Sequence, residues 1–361
     1  MSIDRLKTIK LRPILFTIHS WIGLLVGVFI AMIGLTGSGI VFMHQLDRTL
    51  NPALMQIEAK GRPQSVDLNI APVVRSHPNL AIESIQLPQT DTDPVMVTIK
   101  TLQDERQEIY VNPYTSQILG ERIWEKSIVG FMHTLHYTLF AGKIGQIAVG
   151  VEGLLFLIAS LTGMLLWTGW RRLKAGVRIR WNSPKFINFD LHNVVGFLAG
   201  LFLILLSVTG TLIVVIHLAL TPPDLAVPKI VQPIDRLADV LQTADRALPE
   251  GKISLVSFSP DGETISLRKK LPQQQTGMFD LSTVEIDRAT GKVISATKVI
   301  EPPLMFKVIL AIVALHYGTF GGLTTQILYV FVGLAPLALL ITGFVMWRHR
   351  KSKEVVMNSN V

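Results

Sequence analysis

Nine histidines are the strong nitrogen ligands of this 361-residue chain, and six of them recur at matched spacing. His19 and His44 stand 25 residues apart, as do His192 and His217. His136 and His316 each sit in an octet Leu-His-Tyr-x-x-Phe-x-Gly. Neutral imidazole is a good metal ligand, and it also changes charge near neutral pH. The chain has no cysteine, which excludes disulfides, thiolate metal sites, iron–sulfur clusters and covalently attached c-type haem. His133-Thr-Leu-His136 lacks the glutamate of the zinc-protease motif His-Glu-x-x-His. No Ser-His-Asp set, Gly-rich nucleotide fingerprint or Walker sequence is recognisable.

The elements that must position these histidines are apolar. Hydrophobic residues make up 49% and charged residues 17%, against about 25% charged in soluble chains. Mean hydropathy is +0.44. Four apolar stretches, 14–47, 128–170, 190–217 and 304–347, each hold the ~20 residues that cross a bilayer core, and the second and fourth have length to spare. Charge orients them. Arg5, Lys7, Lys10 and Arg12 precede the first stretch. Arg171, Arg172, Lys174, Arg178, Arg180 and Lys185 lie between the second and third, and Arg348, Arg350, Lys351 and Lys353 follow the fourth. These fourteen cations face only Asp4, Asp190 and Glu354, a balance of +11, whereas the insertions 48–127 and 218–303 carry −2 and −1. The positive-inside rule then places residues 1–13, 171–189 and 348–361 in the cytoplasm and both insertions in a bacterial periplasm. The +8 net charge needs no nucleic-acid partner; membrane lipid is the expected surrounding. The first apolar run is about twice the ~7–15 residues of a signal core, so it reads as an uncleaved span of an inner-membrane protein.

The chain is a duplication. His19–His44 aligns without a gap on His192–His217 with ten of 26 positions identical, among them Thr36/Thr209 and Gly37/Gly210. Leu135–Trp167 aligns on Leu315–Trp347 with thirteen of 33 identical, including Thr162/Thr342 and Gly163/Gly343. Each half reads as span, outside domain, span, repeated in parallel about an axis along the membrane normal. In the insertions, Val95–Lys100, Glu108–Val111, Ile118–Gly120, Val284–Asp287 and Lys292–Ser295 alternate as strands, with turns at Asn112–Gln117 and Arg288–Gly291. Ala71–His77 and Ile234–Ala247 are the expected helices, and Pro222, Pro223, Pro228 and Pro233 mark a linker. The predicted fold is an α-helical bundle of four transmembrane helices from an internal duplication, carrying two periplasmic α+β domains.

The motifs His-Ser-Trp-Ile-Gly-Leu … Gly-Leu-Thr-Gly-Ser at 19–38, Leu-His-Tyr … Gly at 135–142 and 315–322, and Leu-Thr-Gly … Leu-Trp at 161–167 resemble the PepSY-associated transmembrane family. The strand–turn–strand segments at 108–120 and 283–295 resemble PepSY modules. The resemblance covers nearly the whole chain. Members of that family include di-haem inner-membrane reductases of ferric siderophores, and others are linked only to iron uptake. The resemblance therefore implies a fold, and as activity the reduction of siderophore iron.

The duplication arranges the histidines in matched sets. Equivalent residues face each other across a pseudo-twofold axis, as bis-histidine ligation of two non-covalent haem b groups requires. His19 and His192 fall at the cytoplasmic ends of their spans; His136, His316, His44 and His217 fall at the outer ends. At the outer face either His136/His316 or His44/His217 can be the ligands. Gly23, Gly27, Gly196 and Gly200 share the helical face of His19 and His192, as a flat porphyrin or a small-xxx-small helix contact would need. His133, whose counterpart is Val313, joins Tyr137 and Tyr317 as candidate catalytic residues at the acceptor site near His316. Glu152 is the one acid deep in a span, a proton site or an interior contact, with Val332 at its counterpart. His77 and His349 are assigned no role. The cytoplasmic loops are too short for a flavin domain, so the electron donor is a quinol or a cytoplasmic reductase. The acceptor is a ferric siderophore or another periplasmic acceptor. The competing function is a non-enzymatic sensor or adaptor whose outer domains bind a peptide or regulate a partner.

Overall fold

The computed structural model describes residues 11–78, 81–101, 103, 105–220, 236–259, 261–272 and 280–358, with the side chains of 351–358 left aside. The four linker prolines and Ile234 fall outside these residues. The chain divides into two compact units, one within Met1–Phe42, Met132–Thr221 and Ala311–Val361, the other within Met43–Phe131 and Pro222–Leu310.

The first unit is helical. Gly142–Trp170, Ile187–Leu220 and Thr319–Arg350 are long and apolar enough to cross a membrane. The first predicted span is instead a bent pair, Leu11–Leu25 and Gly27–Ile40, meeting at 65°. The bend falls at Val26-Gly27, where a glycine weakens the helix. The spare length of the second and fourth stretches is also explained. Each is a short helix, Ile128–Thr138 or Leu304–Tyr317, followed after a break by a long one starting at Gly142 or Gly322. Ala199, Leu203, Val332 and Ala335 form a buried apolar cluster in this unit, with Phe156, Val195 and Leu339 against it.

The second unit is an antiparallel sheet with helices. Its strands are β1 (Ile82–Gln86), β2 (Val95–Lys100), β3 (Arg106–Val111), β4 (Ile118–Ile123), β5 (Lys252–Phe258), β6 (Thr264–Lys270), β7 (Ser282–Asp287) and β8 (Val293–Thr297). The order is β4-β3-β2-β1-β5-β6-β7-β8. Each insertion contributes a four-strand meander with a helix beside it, Val66–Ser76 or Leu237–Ala247, so the modules expected as two domains are halves of one sheet. The seam pairs Ile85 with Val256 in an antiparallel register, and both side chains are fully buried. The pairing leaves neither β1 nor β5 as an open sheet edge. Helix Val66–Ser76 starts five residues before the expected Ala71, capped by Ser65, and Pro72 is tolerated inside it. Its Asp67 accepts the backbone N–H groups of Leu237 and Ala238 at 2.7 and 3.3 Å, capping helix Leu237–Ala247 of the other half. Alternation on β2, β3, β6 and β7 puts Val97, Ile99, Ile109, Val111, Ile265, Leu267, Val284 and Ile286 in one core.

A buried ionic cluster ties helix Met43–Leu50 to this sheet. Arg122 donates to both oxygens of Asp47 at 2.6 Å and to Glu108 at 2.9 Å, and Tyr110 donates to Glu108 at 2.7 Å. Burial pushes the Tyr110 phenol well above its ordinary range, and the Glu108 carboxylate adds to the rise.

Candidate functional site

The breaks in the helices deliver the histidines. Ile128–Thr138 stops at Leu139 and Phe140, whose φ values of 49° and 57° are left-handed. Leu304–Tyr317 stops at Gly318, φ 70°, and the turn Thr319–Gly321 leads on to Gly322. The two octets are thus helix ends, and His136 and His316 occupy the last turn of each helix. His19 lies in Leu11–Leu25. His192 follows Asp190 at the start of Ile187–Leu220, where the Arg180 guanidinium donates to Asp190 at 2.7 and 2.6 Å.

Four rings form two pairs. The ring centres of His19 and His192 are 6.0 Å apart, with planes at 87°. Those of His136 and His316 are 6.3 Å apart, with planes at 50°. Each pair takes one histidine from each half of the chain. Helix Ile187–Leu220 carries His192 of one pair and, 17 residues on, Thr209-Gly210 beneath the other. At 1.5 Å per residue the pairs are about 25 Å apart along that helix.

Each ring rests on a Thr-Gly step of the other span in its own half. His19 Nδ1 donates to the Ala159 carbonyl at 2.9 Å and lies 3.3 Å from Thr162 Oγ1. His136 Nδ1 donates to the Ile33 carbonyl at 2.9 Å and lies 3.4 Å from Thr36 Oγ1. In the second half, His192 Nδ1 is 3.0 Å from Thr342 Oγ1 and bonds the Leu339 carbonyl. His316 Nδ1 is 3.0 Å from Thr209 Oγ1 and bonds the Leu206 carbonyl. The carbonyl belongs each time to the residue three before the threonine. A carbonyl can only accept, so Nδ1 carries the proton and Nε2 keeps its lone pair. The contacts with Ala159, Ile33 and the four threonines all run through Nδ1. The glycine leaves room for the ring. A methyl at Gly37 or Gly210 would meet Cε1 of His136 or His316 at 2.9 Å, and one at Gly163 would meet that of His19 at 3.0 Å.

The spacing suits one metal per pair. Two imidazoles bound to opposite sides of one ion at about 2 Å place their ring centres about 6 Å apart. Among the described residues no group of three or more His, Cys, Asp or Glu could hold a metal ion unaided. A metal at either pair therefore needs further ligands, and a porphyrin supplies four in its plane. The residues present fit a bis-histidine haem.

The other expected residues divide. His44 lies in Met43–Leu50, in the sheet unit, and is exposed. His217, also exposed, stacks edge-on against Tyr137 at 5.5 Å. Helix Gly27–Ile40 ends before His44, which stands at the start of a separate helix, Met43–Leu50. His133 is 5.9 Å from the Tyr137 ring, so His133, Tyr137 and His217 cluster beside His136. Tyr317 is half exposed, 6.2 Å from His316. Of the four expected bed glycines, Gly27 and Gly200 are closed by the tips of Leu340 and Met164, as helix contacts are, whereas Gly23 faces open space and Gly196 makes ordinary contact with Leu339. Glu152 is buried on helix Gly142–Leu166. His77 pairs with Glu121 at 3.2 Å, and His349 bonds the Val345 carbonyl at 2.9 Å. The reading from sequence passed over Thr36, Thr162, Thr209 and Thr342 as working residues. Their signal was available: a Thr-Gly step at matched positions in all four spans.

Apolar helices joined to an antiparallel sheet unit define a membrane protein with an extramembrane domain. A family model, the PepSY-associated TM region, matches residues 16–350, and the chain belongs to that family. A comparison with curated proteins finds no match.

Proposed function

We propose that this chain is a haem b protein of a bacterial inner membrane that passes electrons outward to a periplasmic acceptor, ferric-siderophore iron, during iron uptake. The observation that carries this reading is the two histidine pairs, 6.0 and 6.3 Å between ring centres, every ring held through Nδ1. His19 with His192 would hold one haem, and His136 with His316 the other. Held there, the group would supply one-electron transfer. The chain's own residues do the rest. The Thr-Gly steps present Nε2, and the Ala199, Leu203, Val332 and Ala335 cluster keeps water out of the bundle. Tyr137 between His133 and His217, and Tyr317 beside His316, offer hydrogen-bonding groups to an acceptor. The charge balance supports cytoplasmic termini, which puts the His19 end toward a quinol or reductase donor. One-electron reduction frees the iron, because ferrous iron binds hard oxygen chelators far less tightly than ferric iron.

Pyridine haemochrome assay of the purified protein should give two haem b per chain, and His19→Ala should remove one. Stopped-flow mixing of the dithionite-reduced protein with ferric siderophores should oxidise the haem while a ferrous trap captures iron. A colourless protein overturns the reading. Haem that outlasts every ferric acceptor for minutes but is oxidised by quinone makes the chain a quinone-linked carrier.

A further inference from the structure

We infer that the seat threonines are positioning residues that set the tautomer and donor strength of the histidines above them; this rests on the haem reading. The arrangement occurs four times, which chance packing would not produce. Each threonine hydroxyl donates back along its own helix, to Ile158 at 2.7 Å from Thr162, Met32 at 2.8 Å from Thr36, Leu205 at 2.8 Å from Thr209 and Ala338 at 2.7 Å from Thr342. Its hydrogen is spent, so toward the ring Oγ1 can only accept. The hydroxyl and the carbonyl three residues earlier therefore share one Nδ1–H and exclude the tautomer that would cap Nε2. A hydrogen bond given from Nδ1 makes Nε2 a stronger donor. A stronger donor favours ferric over ferrous iron and holds the reduction potential down.

The two halves share this work unequally. The threonine oxygen is 3.0 Å from Nδ1 in the second half, at Thr342 and Thr209, and 3.3–3.4 Å in the first, at Thr162 and Thr36. Every pair thus contains one ring bonded closely to its hydroxyl and one leaning on its carbonyl. The seats lie within a half, while the ligand pairs join halves. Each half therefore supplies the seats for its own rings.

The test uses the full chain in nanodiscs, with Thr342→Val for the His19/His192 pair, Thr209→Val for the His136/His316 pair, and Thr→Ser at each position. Haem content of the wild type is measured first. Its absence sinks the haem reading, whereas failure of the threonine inference is read in haem-loaded protein. Spectroelectrochemistry should show each valine variant raising the potential of its own haem by about 59 mV, a tenfold change in a one-electron equilibrium. The other haem should be unmoved, and the low-spin ferric electron-paramagnetic-resonance signal should shift only for the affected haem. Serine should restore the wild-type values, because it keeps the oxygen and loses only the methyl. Haem lost from the valine variant but kept by serine supports the inference as well. Wild-type potentials in both valine variants, or equal losses in valine and serine, would overturn it.

Discussion

At Gly37 and Gly210 a methyl would press on the ring of His136 or His316 at 2.9 Å, and at Gly163 on that of His19 at 3.0 Å. At Gly343 the nearest ring atom, Cε1 of His192, is 3.5 Å away, an ordinary contact. Alanine substitutions should therefore not be equivalent. Gly37→Ala and Gly210→Ala should displace a ring and broaden or shift the spectrum of one haem, while Gly343→Ala should match the wild type in haem content and spectrum. In the sheet unit, Arg122 faces two carboxylates, Asp47 at 4% exposure and Glu108 at 1%. Removing it takes the guanidinium from the buried Asp47, which keeps the Asn51 amide at 2.8 Å, while Glu108 keeps Arg106 at 2.7 Å and the Tyr110 hydroxyl. Arg122→Ala should cost about 3–5 kcal/mol in denaturant unfolding of that unit, and a loss under about 1 kcal/mol would mean that water reaches the cluster.

Two of the four helices that carry the paired histidines end on a left-handed residue, and their rings lie in the last turn before it. Gly318 combines φ 70° with the Tyr329 ring 2.7 Å from where a Cβ would sit. Tyr329 itself donates to the Leu315 carbonyl at 2.6 Å, so it is not free to retreat. Gly318→Ala should destabilise the protein by about 1–2 kcal/mol from the backbone alone, with the contact added, and should lower its melting temperature in detergent. The equivalent break in the first half uses Leu139 and Phe140 in the same left-handed region without a glycine. Leu139→Gly should therefore leave the melting temperature unchanged or raise it.

For the whole molecule, the +11 balance on residues 1–13, 171–189 and 348–361 predicts both termini inside. Protease added to intact spheroplasts should cut within 48–127 or 218–303, and cleavage confined to inside-out vesicles would reverse the topology. Much of the architecture could be read from the chain. Apolar length marked the helices, period-2 alternation marked β2, β3 and β7, and the duplicated histidines marked the rings that meet, while the Thr-Gly steps stood in the repeat without being given a role. Those signals are local, or are repeats of a local pattern, and so survive in one dimension. The union of two modules into one sheet does not, because the seam register of Ile85 with Val256 joins residues 171 positions apart. Nor does the meeting of the His136 and His316 rings. Both sets are duplicated in sequence, and only the helices ending at Thr138 and Tyr317 show the rings of His136 and His316 meeting, with His44 in a separate helix of the sheet unit. Spacing along a chain fixes which face of a helix a residue shares; which rings face each other is fixed by packing between helices.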